Sequence, residues 1–227
     1  MVALTEAGGT RDDAPAMTRH ILIIGAGNVG AALGRAWLAC GHDVRFGVSD
    51  PEHPKHASLP RERLQSAGDR NDAEIVVLAI PYAAARSALK ALGDLSGAIV
   101  IDCTNPLGMG PEGLHLTLGF ETSGGEEIAA CAPGASLFKT LNQTGAENMA
   151  NAAAFQPKSM MFVAGDDQAR KPIVMDLVAD LGFEPIDAGP LKAARLLEPL
   201  AMLWIDLATK RGQARDFAFA RLAPRGA

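Results

Sequence analysis

Hydrophobic positions along the chain cluster into short runs separated by helical periodicity. His20-Ile21-Leu22-Ile23-Ile24 is an apolar run that enters Gly25-Ala26-Gly27-Asn28-Val29-Gly30 without an intervening polar residue. From Val29 to Cys40 the spacing changes to that of a helix, with Val29, Leu33 and Trp37 on one face and Gly41 as its stop. Asp43–Val48 reads as a second strand, and Ser49–Pro54 as a proline-broken loop. Ala73–Ile80 is a strand stopped by Pro81, followed by a helix over Ala83–Leu92 with Leu89 and Leu92 inward. Ala98–Cys103 is the next strand, ended by Thr104-Asn105-Pro106. Near-continuous apolar strands alternating with helices predict an α/β protein whose sheet is mostly parallel and covered on both faces.

The second half is less regular. Leu107–Ser123 reads as a long irregular loop, of a kind more often functional than accidental. A helix starts at Glu126–Ala130, and Ser136–Leu141 is a strand leading into Asn142–Ala146. Met160–Ala164 is a strand, and Asp166-Asp167 cap a helix carrying Val174, Leu177 and Leu181. Pro172 belongs in its first turns, since an interior proline costs about 3 kcal/mol. Glu184–Pro190 is a short strand and turn, and Leu191–Thr209 a long apolar helix expected to kink at Pro199. Residues 1–18 are small and polar and read as a flexible leader. Met17 stands just before the first strand as a possible start. The expected division is 1–18 leader, 19–157 dinucleotide-binding domain and 158–227 a C-terminal part closing the cleft.

Each glycine in the first turn has a mechanical job in holding a dinucleotide. Gly25 permits the tight turn, Gly27 lets backbone approach a pyrophosphate, and Gly30 lets helix and strand pack closely. The phosphates would lie at the helix N-terminus, where free N–H groups and the positive dipole end favour an anion. The second strand should choose the dinucleotide: a carboxylate there would take ribose hydroxyls, an arginine a 2′-phosphate. Val48-Ser49 occupies that tip, with Asp50 two residues past it. Ser49 can bond a phosphate, which leans toward NADP and leaves NAD open. His53, Lys55 and His56 could add positive charge, but a solvated loop is the plainer reading.

Ile80-Pro81-Tyr82 and Asn105-Pro106 follow consecutive strands and so belong over the cleft. Tyr82 reads equally as a half-buried ring or a ribose contact, and Asn105 as a ligand or a turn former. Lys139 and Asn142 bracket the end of a later strand. Lys139 could polarise a carbonyl or hold a phosphate, or be a lone exposed charge. Arg195 and Glu198 read as a surface ion pair.

Composition narrows the function classes. The net charge of −5 comes without a basic cluster, which argues against nucleic acid and an anionic membrane surface. No apolar run approaches the ~20 residues a bilayer span needs. The N-terminus lacks the order of a secretory signal, so a cytoplasmic location is expected. Cys40, Cys103 and Cys131, like the histidines, lack ligand spacing, and no metal site is expected. There is no Ser-His-Asp pattern and no Tyr-x-x-x-Lys pair. Acid–base chemistry therefore looks modest, and hydride transfer to an acceptor with its own electron sink needs chiefly orientation and electrostatics.

The motifs resemble a family. Gly25–Gly30, Val76–Pro81 and Ile101–Pro106, with Lys139–Asn142, Phe162–Asp167 and Asp187–Leu191, are similar to the F420-dependent NADP oxidoreductases. The resemblance implies a Rossmann-type doubly wound sheet with a small C-terminal helical cap, often dimeric. It implies hydride transfer between NADP and the deazaflavin coenzyme F420, with the two rings stacked. It carries the phosphate loop onto Gly25, Ala26, Gly27, Asn28, Val29 and Gly30. Asn105, Pro106 and Asn142 would line the nicotinamide side, and Gly189-Pro190-Leu191 would approach the deazaflavin. Archaeal members place Ser-Arg at the second strand tip, where Val48-Ser49 stands here without the arginine. Two alternatives stay open. One is an NAD(P)H-dependent reductase of another small acceptor (flavin, imine or carbonyl). The other is a non-catalytic nicotinamide sensor using the N-terminal leader for a partner.

Overall fold

The computed structural model describes residues 17–224, and most of the expected leader lies outside them. Among the described residues ten strands form: β1 His20–Ile24, β2 Asp43–Val48, β3 Leu64–Ser66, β4 Ile75–Leu78, β5 Ile99–Asp102, β6 Leu107–Gly110, β7 Gly113–Leu116, β8 Ser136–Lys139, β9 Met160–Gly165 and β10 Glu184–Gly189. The helices are α1 Asn28–Ala39, α2 Tyr82–Leu92, α3 Gly124–Ala130, α4 Ala146–Met149, α5 Lys171–Asp180 and α6 Ala194–Thr209.

Eight strands make one sheet in the order β10-β9-β8-β5-β4-β1-β2-β3. The pairings are parallel except β8 with β9. β1 sits between β2 and β4, with Ile21 opposite both Val44 and Ile75. Residue alternation sorts the apolar runs into two cores. Ile21, Ile23, Ile75 and Val77 pack with Leu33, Trp37 and Leu177 on one face. Leu22, Ile24, Val76 and Leu78 pack with Leu89, Leu92 and Ile128 on the other. That is the doubly wound arrangement expected of strands apolar at every position. Trp37 is fully buried, and its indole N–H donates to the Leu177 carbonyl at 2.9 Å, tying α1 to α5.

The structure adds detail to the sequence expectations in several places. Leu107–Ser123 is not wholly irregular: β6 and β7 form a two-stranded antiparallel hairpin, Leu107 facing Leu116. Residues 64–66 add a short edge strand that has too few residues to show a period. β9 and β10 extend the main sheet, so the division at 157/158 falls within one continuous sheet. α6 runs on through Pro199, which lies on its exposed side where water can serve a freed carbonyl. Pro172 lies in the first turn of α5, where its missing N–H costs nothing.

Candidate active site

In open α/β sheets ligands bind beyond the carboxyl ends of the strands, where strand order reverses. Here that point lies between β1 and β4, and a cleft of about 1270 Å³ opens there. Its walls are the β1–α1 turn, the β2 tip, the segment after β4, and α4. Gly25 has φ +97°, and a Cβ on it would stand 2.5 Å from the Ala79 carbonyl oxygen. Only glycine makes this turn. A Cβ on Gly30 would lie 2.0 Å from the Gly25 carbonyl oxygen, so the helix closes directly onto the turn. A Cβ on Gly34 would meet the Phe46 ring at 2.3 Å, a close approach of α1 to β2 that the motif does not include.

Gly27 differs from its neighbours. It is exposed, and a Cβ there would meet nothing within 4 Å. The space above it belongs to the cleft. Gly27 caps α1 without a side-chain bond, and no acidic residue stands in the first turn. The positive end of the helix is therefore uncancelled and faces the cleft. Open space above a bare glycine, beside unpaired N–H groups, fits a pyrophosphate. When bound, the nicotinamide dinucleotide would supply or accept the hydride.

Gly25, Ala26, Gly27, Asn28, Val48, Ser49, Ile80 and Pro81 all line this cleft. Val29 and Gly30 stand behind the turn and support it. Val48 is buried and Ser49 exposed at the tip. Asp50 turns its carboxylate into its own loop, accepting from the Glu52 N–H at 3.0 Å. The sequence reading missed Arg35, Ser58, Ala67 and Glu147, which also line the cleft. Arg35 reaches across from α1 and donates to the Ser58 hydroxyl at 3.0 Å. Spacing along α1 could have flagged Arg35 one turn beyond the motif. The solvated-loop reading fails for His56, which lines the cleft, is only 5% exposed and leaves both ring nitrogens unpartnered. Burial pushes its imidazole below the ordinary histidine value, and Lys55 and His53 add to that.

The other predicted residues are brought together beside the cleft rather than into it. Asn105 and Asn142 follow β5 and β8 and bond each other. The Asn105 amide donates to the Asn142 carbonyl at 3.0 Å, and the Asn142 amide returns a bond to Asn105 Oδ1 at 2.9 Å. Pro106 packs near Gly124, and so does Tyr82. The Tyr82 hydroxyl donates to Glu127 at 2.6 Å. Burial, and then that carboxylate, push the phenol well above its usual range. Tyr82 is thus no ready proton donor.

Lys139 is neither an exposed charge nor presented to the cleft. It is fully buried, with Nζ 2.8 Å from Asp102 Oδ2, 2.9 Å from Glu198 Oε1 and 2.6 Å from the Thr104 carbonyl oxygen. Burial alone would lower its ammonium, but the two carboxylates outweigh it and hold it above the usual lysine value. Glu198 is likewise buried and accepts from the N–H groups of Gly124 and Gly125, both at 3.0 Å. The expected Arg195–Glu198 surface pair is therefore corrected. Glu198 turns inward to the Gly124 and Gly125 N–H groups of α3, which its Ser123 cap leaves unbonded, and Arg195 takes Glu126 instead at 2.7 Å. A side chain on Gly124 would meet Glu198 Oε1 at 3.1 Å, so the two glycines let α6 reach α3.

Gly189, Pro190 and Leu191 are not at the cleft. β10 is the edge strand, with β9, β8, β5 and β4 between it and β1. β9 and β10 run opposite to the rest, so the chain after Gly189 heads toward the other end of the sheet. The Gly189 N–H donates to Asp187 at 2.7 Å, and Leu191 is buried with its N–H on Asp166 at 2.9 Å. This stretch forms a turn that leads into α6. Among the described residues no helix is long and apolar enough to cross a membrane.

Comparison with known proteins gives the same picture. The family model "NADP oxidoreductase coenzyme F420-dependent" matches residues 20–106, which span the glycine turn through Pro106. A solved structure from Arthrobacter sp. FB24, named as a candidate F420-dependent NADP reductase, is 33% identical, with a TM-score of 0.80 over 89% of this chain and 99% of that one. A hypothetical protein of Sinorhizobium meliloti is 25% identical, with a TM-score of 0.70 over 81% of this chain and 91% of its own. Metalloreductase STEAP3 of Rattus norvegicus is 25% identical over 205 residues, 88% of this chain. The chain spans only 40% of that relative's length. With the glycine turn, the cleft at the strand reversal and a relative matched over nearly its whole length, the chain belongs to the coenzyme F420-dependent NADP oxidoreductase family and is an NADP-dependent oxidoreductase.

Proposed function

We propose that the chain moves a hydride between NADP and a deazaflavin of the coenzyme F420 type. The observation that carries this reading is the engagement of both candidate proton donors. Tyr82 gives its hydroxyl to Glu127, and Lys139 is enclosed by Asp102, Glu198 and the Thr104 carbonyl. Reduction of a carbonyl or imine calls for a positioned acid. A deazaflavin carries its own electron sink, so the protein need only bind and orient two flat rings. In this reading the residues divide the work by place. Gly25–Gly30 and the first turn of α1 hold the pyrophosphate, the β2 tip takes the adenosine end, and Ile80-Pro81 with the paired Asn105 and Asn142 form the floor toward the nicotinamide. The names of the matching family and of the Arthrobacter structure support this acceptor.

A second reading is reduction of another small acceptor, which the relation to a metalloreductase favours. The test is to mix purified protein with NADPH and F420 and follow the deazaflavin absorbance. Turnover with F420, changed less than about threefold by Tyr82→Phe, is expected, since a lost proton donor would cost about a hundredfold or more. No F420 turnover, together with NADPH oxidation by a flavin, imine or ferric acceptor, would overturn the first reading in favour of the second.

A further inference from the structure

The β2 tip lacks the arginine that would grip a 2′-phosphate, yet this end of the cleft is not short of donors. His56 lies in a helical turn, Pro54–His56, inserted where the sequence shows only a proline-broken loop. A buried imidazole normally has a partner for at least one nitrogen, because leaving a polar group dry and unbonded costs free energy. Here Nδ1 and Nε2 are both unpartnered, and the residue lines the cleft beside Ser49, Lys55 and Arg35. Arg35 is held toward the same wall by Ser58. The missing partner is most simply an anion that enters with the ligand.

We propose that His56 is a specificity-determining residue that binds the 2′-phosphate of NADP together with Arg35 and Ser49, taking up a proton as the phosphate enters. The inference rests on the dinucleotide reading of the cleft and adds the basis for choosing NADP over NAD. The charges acting on His56 are Lys55 and His53, which oppose its protonation, and Asp50, which favours it. A phosphate dianion reverses that balance, since an opposite charge within ~4–6 Å favours the charged ring. NADP affinity is then linked to pH. Above the free imidazole's value and below the bound one, each pH unit costs up to tenfold in NADP affinity, while NAD affinity stays flat. The ligand phosphate loses its own last proton near pH 6, so the window to read is pH 7 to 9.

The experiment is titration calorimetry of NADP and NAD on the full chain, in two buffers of different ionisation enthalpy. The wild type should take up a substantial fraction of one proton with NADP near pH 7 and none with NAD. His56→Gln should weaken NADP about tenfold or more, abolish the proton uptake and leave NAD affinity unchanged, which also shows the cleft is folded. Arg35→Gln should weaken NADP at every pH while keeping the proton uptake. Equal proton uptake for the two dinucleotides, or an unchanged NADP-to-NAD ratio in His56→Gln, would overturn the proposal. Failure of the wild type to bind either dinucleotide would instead overturn the reading of the cleft.

Discussion

Replacing Lys139 with methionine tests whether the buried charge cluster is structural or part of the cleft. Methionine keeps much of the stem's volume and removes the ammonium. What remains is Asp102 and Glu198, both essentially inaccessible to solvent, facing each other without a cation. Glu198 keeps its two bonds from Gly124 and Gly125, whereas Asp102 keeps only the Thr104 N–H at 2.9 Å. Breaking a buried pair by removing one partner costs about 3–5 kcal/mol. For a chain of this size that is a fall in Tm of roughly 6–20 °C. The assay is urea and thermal unfolding, followed by circular dichroism. Lys139's folded value is raised, so its contribution is fully present below the unfolded lysine value of about 10.4 and is lost as pH rises through the folded one. The gap between wild type and variant should therefore persist from neutral pH to about 10 and close only in stronger alkali. None of the three side chains lines the cleft, so NADP affinity should stay within about threefold, under ~0.7 kcal/mol. A stability loss below about 1 kcal/mol would refute the buried-cluster reasoning. A large loss of NADP affinity in a stably folded variant would return Lys139 to the binding site.

Other outcomes separate structure from binding. Gly25→Ala forces φ +97° on alanine and drives its methyl toward the Ala79 carbonyl, so it should destabilise by at least about 1–3 kcal/mol in chemical unfolding. Gly27→Ala meets no protein atom, so its stability should stay within about 0.5 kcal/mol while NADP binding weakens tenfold or more; unchanged binding would remove the pyrophosphate from that position. Arg195→Gln should cost no more than about 1 kcal/mol, because the Arg195–Glu126 pair is partly exposed. Arg195 holds the Glu126 carboxyl below its usual value, so that contribution is present above about pH 4.3 and lost as pH falls through the lowered folded value; a gap that does not shrink on acidification would contradict it.

The strand, glycine turn and helix from His20 to Ala39 were legible in the sequence because every constraint there is local. A tight turn, a close helix contact and an apolar run are written in consecutive residues, and they place the pyrophosphate end of the cleft. The alternation of Ile21 and Ile23 against Leu22 and Ile24 likewise foretold a sheet covered on both faces. What the sequence could not show is which distant side chains meet. Lys139 and Asp102 are 37 positions apart and become neighbours only because β5 and β8 pair. Glu198 looked like a partner for Arg195 at helical spacing, but two N–H groups at the start of α3 and a buried ammonium are stronger attractors than a solvated guanidinium. Gly189–Leu191 looked like a ligand contact because the motif is distinctive, yet the reversal between β8 and β9 carries it to the sheet edge. His56 looked solvated in a loop of prolines and charges, and only the packing of that loop against the cleft buries it without a partner. Periodicity and turn chemistry act within a few residues and so can be read from the chain. Burial and charge pairing depend on strand order and direction, which the tertiary structure alone decides.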